Sequence, residues 1–310
     1  MNKKILMAMM AFVISFIGLI GCTNEESAKN KKETLIVTAT TSQVADAVKN
    51  IGGEYVTVVS LMGPGVDPHL YKATQSDIKK LQEADIIFYN GLHLEGKMTD
   101  VLAKMDKEKP TYAIAEQIDK SLLKEDKEDV RIVDPHVWFD IDLWTEAVKQ
   151  VEEGLIGLDP DHKEQYQKNA KQYYEELAAL KEYAKERLET IPKEQRVLVT
   201  AHDAFGYFGD AYDMEVMGLQ GLSTDAEYGI KDVQKLVDVL VNRQVKAVFI
   251  ESSISEKSIQ AVIEGAKKKN HNVVIGGELF SDAMGEERTE EGTYVGMYKH
   301  NVDTIVQSLK

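Results

Sequence analysis

Asp161 to Thr190 reads DHKEQYQKNAKQYYEELAALKEYAKERLET, thirty residues without a glycine or a proline. Glu, Lys, Gln, Ala and Leu favour a helix. Pro160 and Asp161 are start signals and Pro192 is a stop. At 1.5 Å per residue such a helix spans roughly 45 Å, more than packing within one small lobe requires. The stretch therefore reads as a rigid strut between two bodies. A long surface helix inside a single domain is the alternative.

The chain on either side of this stretch alternates β and α patterns. Thr34 to Ala39 is a β-branched run that leads into a helical pattern over Ser42 to Gly52. Tyr55 to Leu61 is strand-like, Gln75 to Glu83 helical, and Asp85 to Tyr89 strand-like again. The same order recurs downstream. Arg196 to Ala201 echoes the first strand, and both contain Val-Thr-Ala. A helical stretch follows, then Met214 to Leu219, a helix over Ile230 to Gln244, and a strand over Lys246 to Glu251. Such alternation predicts parallel sheets covered by helices. The expected fold is thus α/β, with two similar lobes, each a mostly parallel sheet flanked by helices, joined by one long helix. The lobes fall at 34–160 and 192–310, with the linking helix at 161–191.

The N-terminus carries a different signal. MNKK precedes the uncharged run ILMAMMAFVISFIGLI, which is too short for a membrane span and has the form of a secretory leader. It ends in Leu19-Ile20-Gly21-Cys22, which resembles a bacterial lipobox, and Cys22 is the only cysteine, so no internal disulfide is possible. Residues 1–21 are expected to be removed. Cys22 would then be lipidated, since two acyl chains suffice for stable anchoring. The polar 22–33 segment would be a flexible tether.

The formal net charge of −15 becomes −17 once Lys3 and Lys4 leave with the leader. That acidity disfavours nucleic acid and anionic partners, and it mildly favours attraction of cations. Roughly 275 residues remain, enough for one large or two medium domains.

Three histidines stand in closely similar loops: His69 in GPGVDPHLY, His136 in VDPHVWFD and His202 in LVTAHDAFGYF. They are 67 and 66 residues apart, and Asp282 in GGELFSDAMG follows 80 residues later. His202 directly follows a strand. His69 and Asp282 lie beyond the ends of others. Residues past the carboxyl ends of parallel strands line the ligand crevice of α/β sheets. Pro68 and Pro135 restrict the backbone just before two of the histidines. If these loops converge, they form a metal site of three imidazoles and one carboxylate. His93 reads as exposed or as a support to that site. His162, His271 and His300 read as solvent-facing. Glu251 reads as a hydrogen-bonding neighbour. No GxSxG, HExxH, P-loop or GxGxxG pattern is present.

The stretches NGLHLEGKM, DPHVWFD, VLVTAHDAFGYF, VFIESSI, IGGELFSDAMG and EGTYVGMYKHNVDTIV resemble the TroA-like metal-binding lipoproteins, the solute-binding components of manganese and zinc ABC transporters. The resemblance runs from Thr34 to Lys310 and includes the lipobox. It implies two α/β lobes joined by one long helix, with the metal in the cleft between them. It places the ligands at His69, His136, His202 and Asp282. It also implies an ABC permease with its ATPase as partners, and an extracytoplasmic monomer held to the membrane lipid through acylated Cys22. Some manganese-specific members have Glu at the position of His202.

Three imidazoles and a carboxylate suit Mn2+, Zn2+ or Fe2+. Zinc-importing members often carry a His-rich acidic loop between the first two ligands. The corresponding Lys120 to Arg131 is acidic but has no histidine, which favours Mn2+. The expectation is a lipid-anchored protein, not an enzyme, that delivers one divalent metal to an importer. A zinc-binding member of the same class is the alternative. From other classes, a secreted zinc hydrolase or an adhesin remain readings. A reference imidazole pKa of about 6.5 predicts that metal affinity falls as pH drops from about 6 to 5.

Overall fold

The long stretch that sets the architecture is helical over Lys163–Leu188. A computed structural model describes residues 34–126, 129–226 and 228–310, and Thr34–Lys310 forms one compact unit. The leader and Cys22 lie outside the described residues. The helix is shorter at both ends than expected. Pro160–His162 tightens into a 3-10 turn, with His162 Nδ1 2.5 Å from Asp159 Oδ2, and the chain turns again where Ile191 N bonds to Leu188 O.

Among the described residues, eight strands and eight further helices are built around it. In chain order they are β1 (Leu35–Ala39), α1 (Ser42–Gly52), β2 (Val56–Ser60), α2 (Gln75–Glu83), β3 (Ile86–Tyr89), α3 (Thr99–Asp106), β4 (Thr111–Ala113) and α4 (Ile141–Leu158). The long helix is α5. After it come β5 (Val197–His202), α6 (Gly206–Tyr212), β6 (Glu215–Gln220), α7 (Ile230–Arg243), β7 (Ala247–Glu251), α8 (Lys257–Lys268), β8 (Val274–Leu279) and α9 (Tyr294–Leu309). The sequence reading passes over β4 and the helices α3, α4, α8 and α9.

The first four strands form a parallel sheet in the order β2-β1-β3-β4, with Val37 opposite Val58 on one side and Ile86 on the other. The second half holds two parallel pairs, β5–β6 and β7–β8. Their inner strands β5 and β7 pack side by side, so the spatial order of the first sheet is repeated. All six residues of β5 are buried, as expected of a strand covered on both faces.

Local signals start the helices. Thr41 caps α1, Thr74 and Asp77 form a capping box on α2, and Asp140 caps α4.

On α5 the buried residues are Tyr166, Ala170, Tyr173, Leu177, Leu180, Ala184 and Leu188. They recur at steps of three or four, which places one stripe against the core. Its first half touches the N-terminal half of the fold. Asn169 Nδ2 donates to Ile51 O at 2.9 Å and the Tyr173 hydroxyl to Asp46 at 3.2 Å. Its second half touches α9, where the Tyr183 hydroxyl and Arg187 Nε both donate to Asp303 at 2.8 Å. One apolar cluster joins Val37 and Phe88, Leu177 and Leu180, and Phe249, Leu279 and Tyr298. The two halves therefore share a core, and two smaller clusters fill their outer layers.

Candidate metal centre

Two of the proposed ligands rest on the same local device. Val66-Asp67-Pro68-His69 and Val133-Asp134-Pro135-His136 are the same tetrapeptide. In each, the aspartate Oδ1 accepts a hydrogen bond from the histidine backbone N–H two residues on, at 2.9 Å for His69 and 3.0 Å for His136. This is an Asx turn, and the proline between fixes its φ. The shared pattern was the signal that would have picked out Asp67 and Asp134. The sequence reading used only the prolines.

His202 is the last residue of β5 rather than the first residue after it. Its N–H donates to Glu251 Oε1 at 2.9 Å, tying the ends of β5 and β7 together. The neighbouring strand β6 must pass very close here. A Cβ on Gly218 would lie 2.3 Å from Asp203 N, so only glycine fits. Asp282 follows the end of β8. Its neighbour Ser281 offers a carbonyl that accepts from Gln43 Nε2 at 3.3 Å and Trp138 Nε1 at 3.1 Å.

The four side chains meet. His69 Nε2 lies 3.3 Å from His136 Nε2 and 3.7 Å from Asp282 Oδ2. Asp282 Oδ1 is 3.4 Å from His136 Nε2, and its Oδ2 is 3.3 Å from His202 Nε2. One donor atom from each residue falls within 4.8 Å of all the others, and this is the one such group among the described residues. All four residues are buried, with His136 and His202 fully enclosed. The crevice position that the sequence led one to expect is thus an enclosed one.

Such a cluster is costly unless something compensates it. Both oxygens of Asp282 are buried without a hydrogen-bond partner, as is Nε2 of His202. Buried polar atoms are nearly always satisfied, so these aimed but unpaired donors fit a cation. Behind two of the imidazoles stand further carboxylates. Asp134 Oδ1 is 2.7 Å from His136 Nδ1, and Glu251 Oε2 is 2.6 Å from His202 Nδ1. Carboxylates in this position orient an imidazole and raise its basicity. Glu251 therefore supports His202, as its sequence position indicated.

These groups set the proton distribution. Burial pushes His136 down, but Asp134 and Asp282 outweigh it and raise it to about 9. Burial likewise opposes charge on His202, and Glu251 and Asp282 again prevail, holding its pKa well above the ordinary value. For His69 burial wins, with His136 and His202 adding to it and Asp282 opposing, and the pKa falls to about 3. Burial pushes Asp282 up, yet the surrounding imidazoles hold it well below the usual carboxylate range. The carboxylates thus favour charge on His136 and His202, and burial disfavours it on His69.

The remaining histidines do not join the group. His93 is exposed, in a left-handed conformation with φ of 69°. His162, His271 and His300 are not simply solvent-facing. Each is partly buried and bonded within the fold: His162 to Asp159 while stacking on Tyr55, His271 to Val245 O, and His300 to Glu278 O.

Comparison with known proteins gives a consistent picture. The family described as "ZnuA: Zinc-uptake complex component A periplasmic" matches residues 37–308. The chain is 55% identical to the manganese-binding lipoprotein MntA of Bacillus subtilis (strain 168), over 97% of this chain and 98% of that one. It is 33% identical to the metal ABC transporter substrate-binding lipoprotein SsaB of Streptococcus sanguinis, over 94% of each. Among solved structures, the periplasmic zinc-binding protein TroA from Treponema pallidum superimposes with a TM-score of 0.87 at 47% identity, covering 89% of this chain and 99% of that one.

Proposed function

Because the chain belongs to the zinc-uptake complex component A family, we propose that it captures one divalent transition metal outside the cytoplasm and delivers it to an ABC importer. Its relatives are substrate-binding lipoproteins rather than enzymes. On this reading His69, His136, His202 and Asp282 are the ligands and the metal is the cargo. The observation that carries it is the carboxylate of Asp282, buried with both oxygens unpaired and within 3.7 Å of three imidazole nitrogens. Four protein donors fill the sphere of a small cation. A catalytic zinc instead keeps a position open for water.

Manganese is the favoured cargo. The 55% identity to a manganese-binding lipoprotein supports it. So do the histidine-free loop from Lys120 to Arg131 and the two free oxygens of Asp282, which could bind bidentately. Zinc is the second reading, favoured by three nitrogen donors and by the 47% identity to a zinc-binding protein of closely similar structure. Acylated Cys22 would hold the protein to the outer face of the cell membrane through residues 22–33. The lobes would fall at 34–160 and 192–310 about the 161–191 link, in a monomer that meets a permease and its ATPase. Among the described residues no helix is long and apolar enough to cross a membrane.

The test is elemental analysis of protein purified without added metal, followed by competition among Mn2+, Zn2+ and Fe2+. One metal per chain is expected, lost on replacing any of the four residues. Two per chain, or none, overturns the assignment, and a competition in which Mn2+ is never retained overturns the manganese reading.

A further inference from the structure

The four ligands are not held equally. His202 ends a buried strand and is fixed by Glu251. His136 is braced by Asp134 at both its backbone and its ring. The residues after it are pinned as well: the Tyr294 hydroxyl donates to Trp138 O at 2.6 Å and the Tyr298 hydroxyl to Phe139 O at 2.8 Å. Asp282 follows Ser281, which two side chains grip. His69 differs. It lies in the irregular connection between β2 and α2, where Pro64, Gly65 and Leu70 are exposed.

One short bond ties this connection to the opposite half of the fold. Asp67 uses both carboxylate oxygens. Oδ1 accepts from the His69 N–H at 2.9 Å, and Oδ2 accepts from the Thr224 hydroxyl at 2.6 Å. Thr224 is buried and follows β6, and its carbonyl is braced by Gln220 Nε2 at 3.5 Å. A nearby ion pair, Lys97 to Asp225 at 2.6 Å, crosses at the same place. That pair is solvent-exposed and so of small worth. An O–H···O⁻ bond of this length is charge-assisted and strong.

We propose that Thr224 is a positioning residue that sets how long the metal stays, by holding His69 in the ligand ring through Asp67. This rests on the metal-site reading above. The chain of contacts runs from Thr224 Oγ1 to Asp67 Oδ2, and from Asp67 Oδ1 to the backbone of His69. A hydrogen bond weakens steeply over a few tenths of an ångström. A slight separation of the segment bearing Thr224 from the His69 connection therefore frees Asp67. The turn that presents His69 is then no longer held from the far side. The other three ligands stay anchored by their own contacts. Release accordingly begins at His69, and the Thr224 hydroxyl is what delays it. The same contact must open for a metal to enter the enclosed ring, so removing the hydroxyl speeds entry as well as release.

The test is chelator-driven release of Mn2+ from full-length loaded protein, followed in stopped flow, with association measured separately. Thr224→Val keeps the shape and removes the hydroxyl, and Thr224→Ser restores the hydroxyl. In Thr224→Val we expect dissociation about tenfold faster, association also faster, one metal still bound per chain, and a modest fall in the metal-free melting temperature from the lost hydrogen bond. Thr224→Ser should dissociate like the unsubstituted protein. Unchanged dissociation in Thr224→Val overturns the proposal and leaves the metal-site reading standing. Equal acceleration by Val and Ser also overturns it, because the hydroxyl would then not be what holds His69. Unsubstituted protein that binds no Mn2+ or Zn2+ overturns the metal-site reading as well.

Discussion

Metal affinity should climb steeply with pH well above the range in which ordinary histidines titrate. The perturbation is a change of pH from 8 to 6 on the intact site. In the metal-free protein His136 titrates at about 9, because burial is outweighed by Asp134 at 2.7 Å and by Asp282. His202 is also raised well above its ordinary value. A raised pKa means that the protonated form dominates below it. A metal needs the unprotonated nitrogen. Both imidazoles must therefore lose a proton near pH 7 when metal binds. His69, lowered to about 3, and Asp282, held low, add no protons in this range.

The slope of log affinity against pH equals the number of protons released, by the linkage argument that governs stability. About two protons give about 100-fold per pH unit, or roughly 2.7 kcal/mol between pH 7 and 6. Affinity is therefore lost as pH falls through the raised range of both imidazoles. Three unperturbed imidazoles near 6.5 would instead give a flat profile above about pH 7.5 and the loss between 6 and 5 that the sequence alone led one to expect. The assay is competition titration of Mn2+ against a chelating dye from pH 6 to 8.5. Calorimetry at pH 7 in buffers of different ionisation enthalpy counts the protons independently. A flat affinity between pH 7 and 8, or fewer than about half a proton released, would refute the reasoning.

Other outcomes follow from the same geometry. Asp282→Ala should abolish metal binding and also destabilise the metal-free protein at pH 6, by about 1 kcal/mol in urea unfolding, because two buried charged imidazoles lose one carboxylate partner while Asp134 and Glu251 remain. That penalty should shrink toward pH 9, and equal stability at both pH values would show that Asp282 does not balance those charges. His202→Glu, made together with Glu251→Gln to remove the like charge beside it, replaces nitrogen by a hard oxygen donor. It should raise the manganese-to-zinc affinity ratio, and an unchanged ratio would remove His202 from the ligand set. Changing His162, His271 or His300 to Ala should leave metal affinity alone and cost about 1 kcal/mol of stability each through a lost internal hydrogen bond. A fall in affinity for any of them would reveal a second route to the site. Metal-free and loaded protein should give nearly superimposable solution scattering, since α5 and a shared apolar core join both halves. A clear change in radius of gyration would contradict this.

Much of the fold was already legible in local pattern. The limits of α1 and α2 match the sequence reading, and the strands around Val37, Val58, Ile87 and Val248 fall where their β-branched runs put them. Helix and strand periods are properties of neighbouring residues, so a single segment displays them. The four residues that the fold brings together were also legible as candidates, because His202 and Asp282 stand at or soon after strand ends and His69 and His136 each follow a proline in similar loops.

What no segment could show was distance between segments. The burial of His69, His136, His202 and Asp282, the carboxylates behind two of the imidazoles, and the proton held on His136 all depend on atoms from connections 66 to 80 residues apart. The Thr224 hydroxyl on Asp67, 157 residues away, depends on the same thing. The sequence determined which side chains carry the chemistry. The packing of β5 against β7, and of both halves on α5, decided how closely those side chains meet. Desolvation and charge interaction act through space rather than along the chain, so only the tertiary structure could set them.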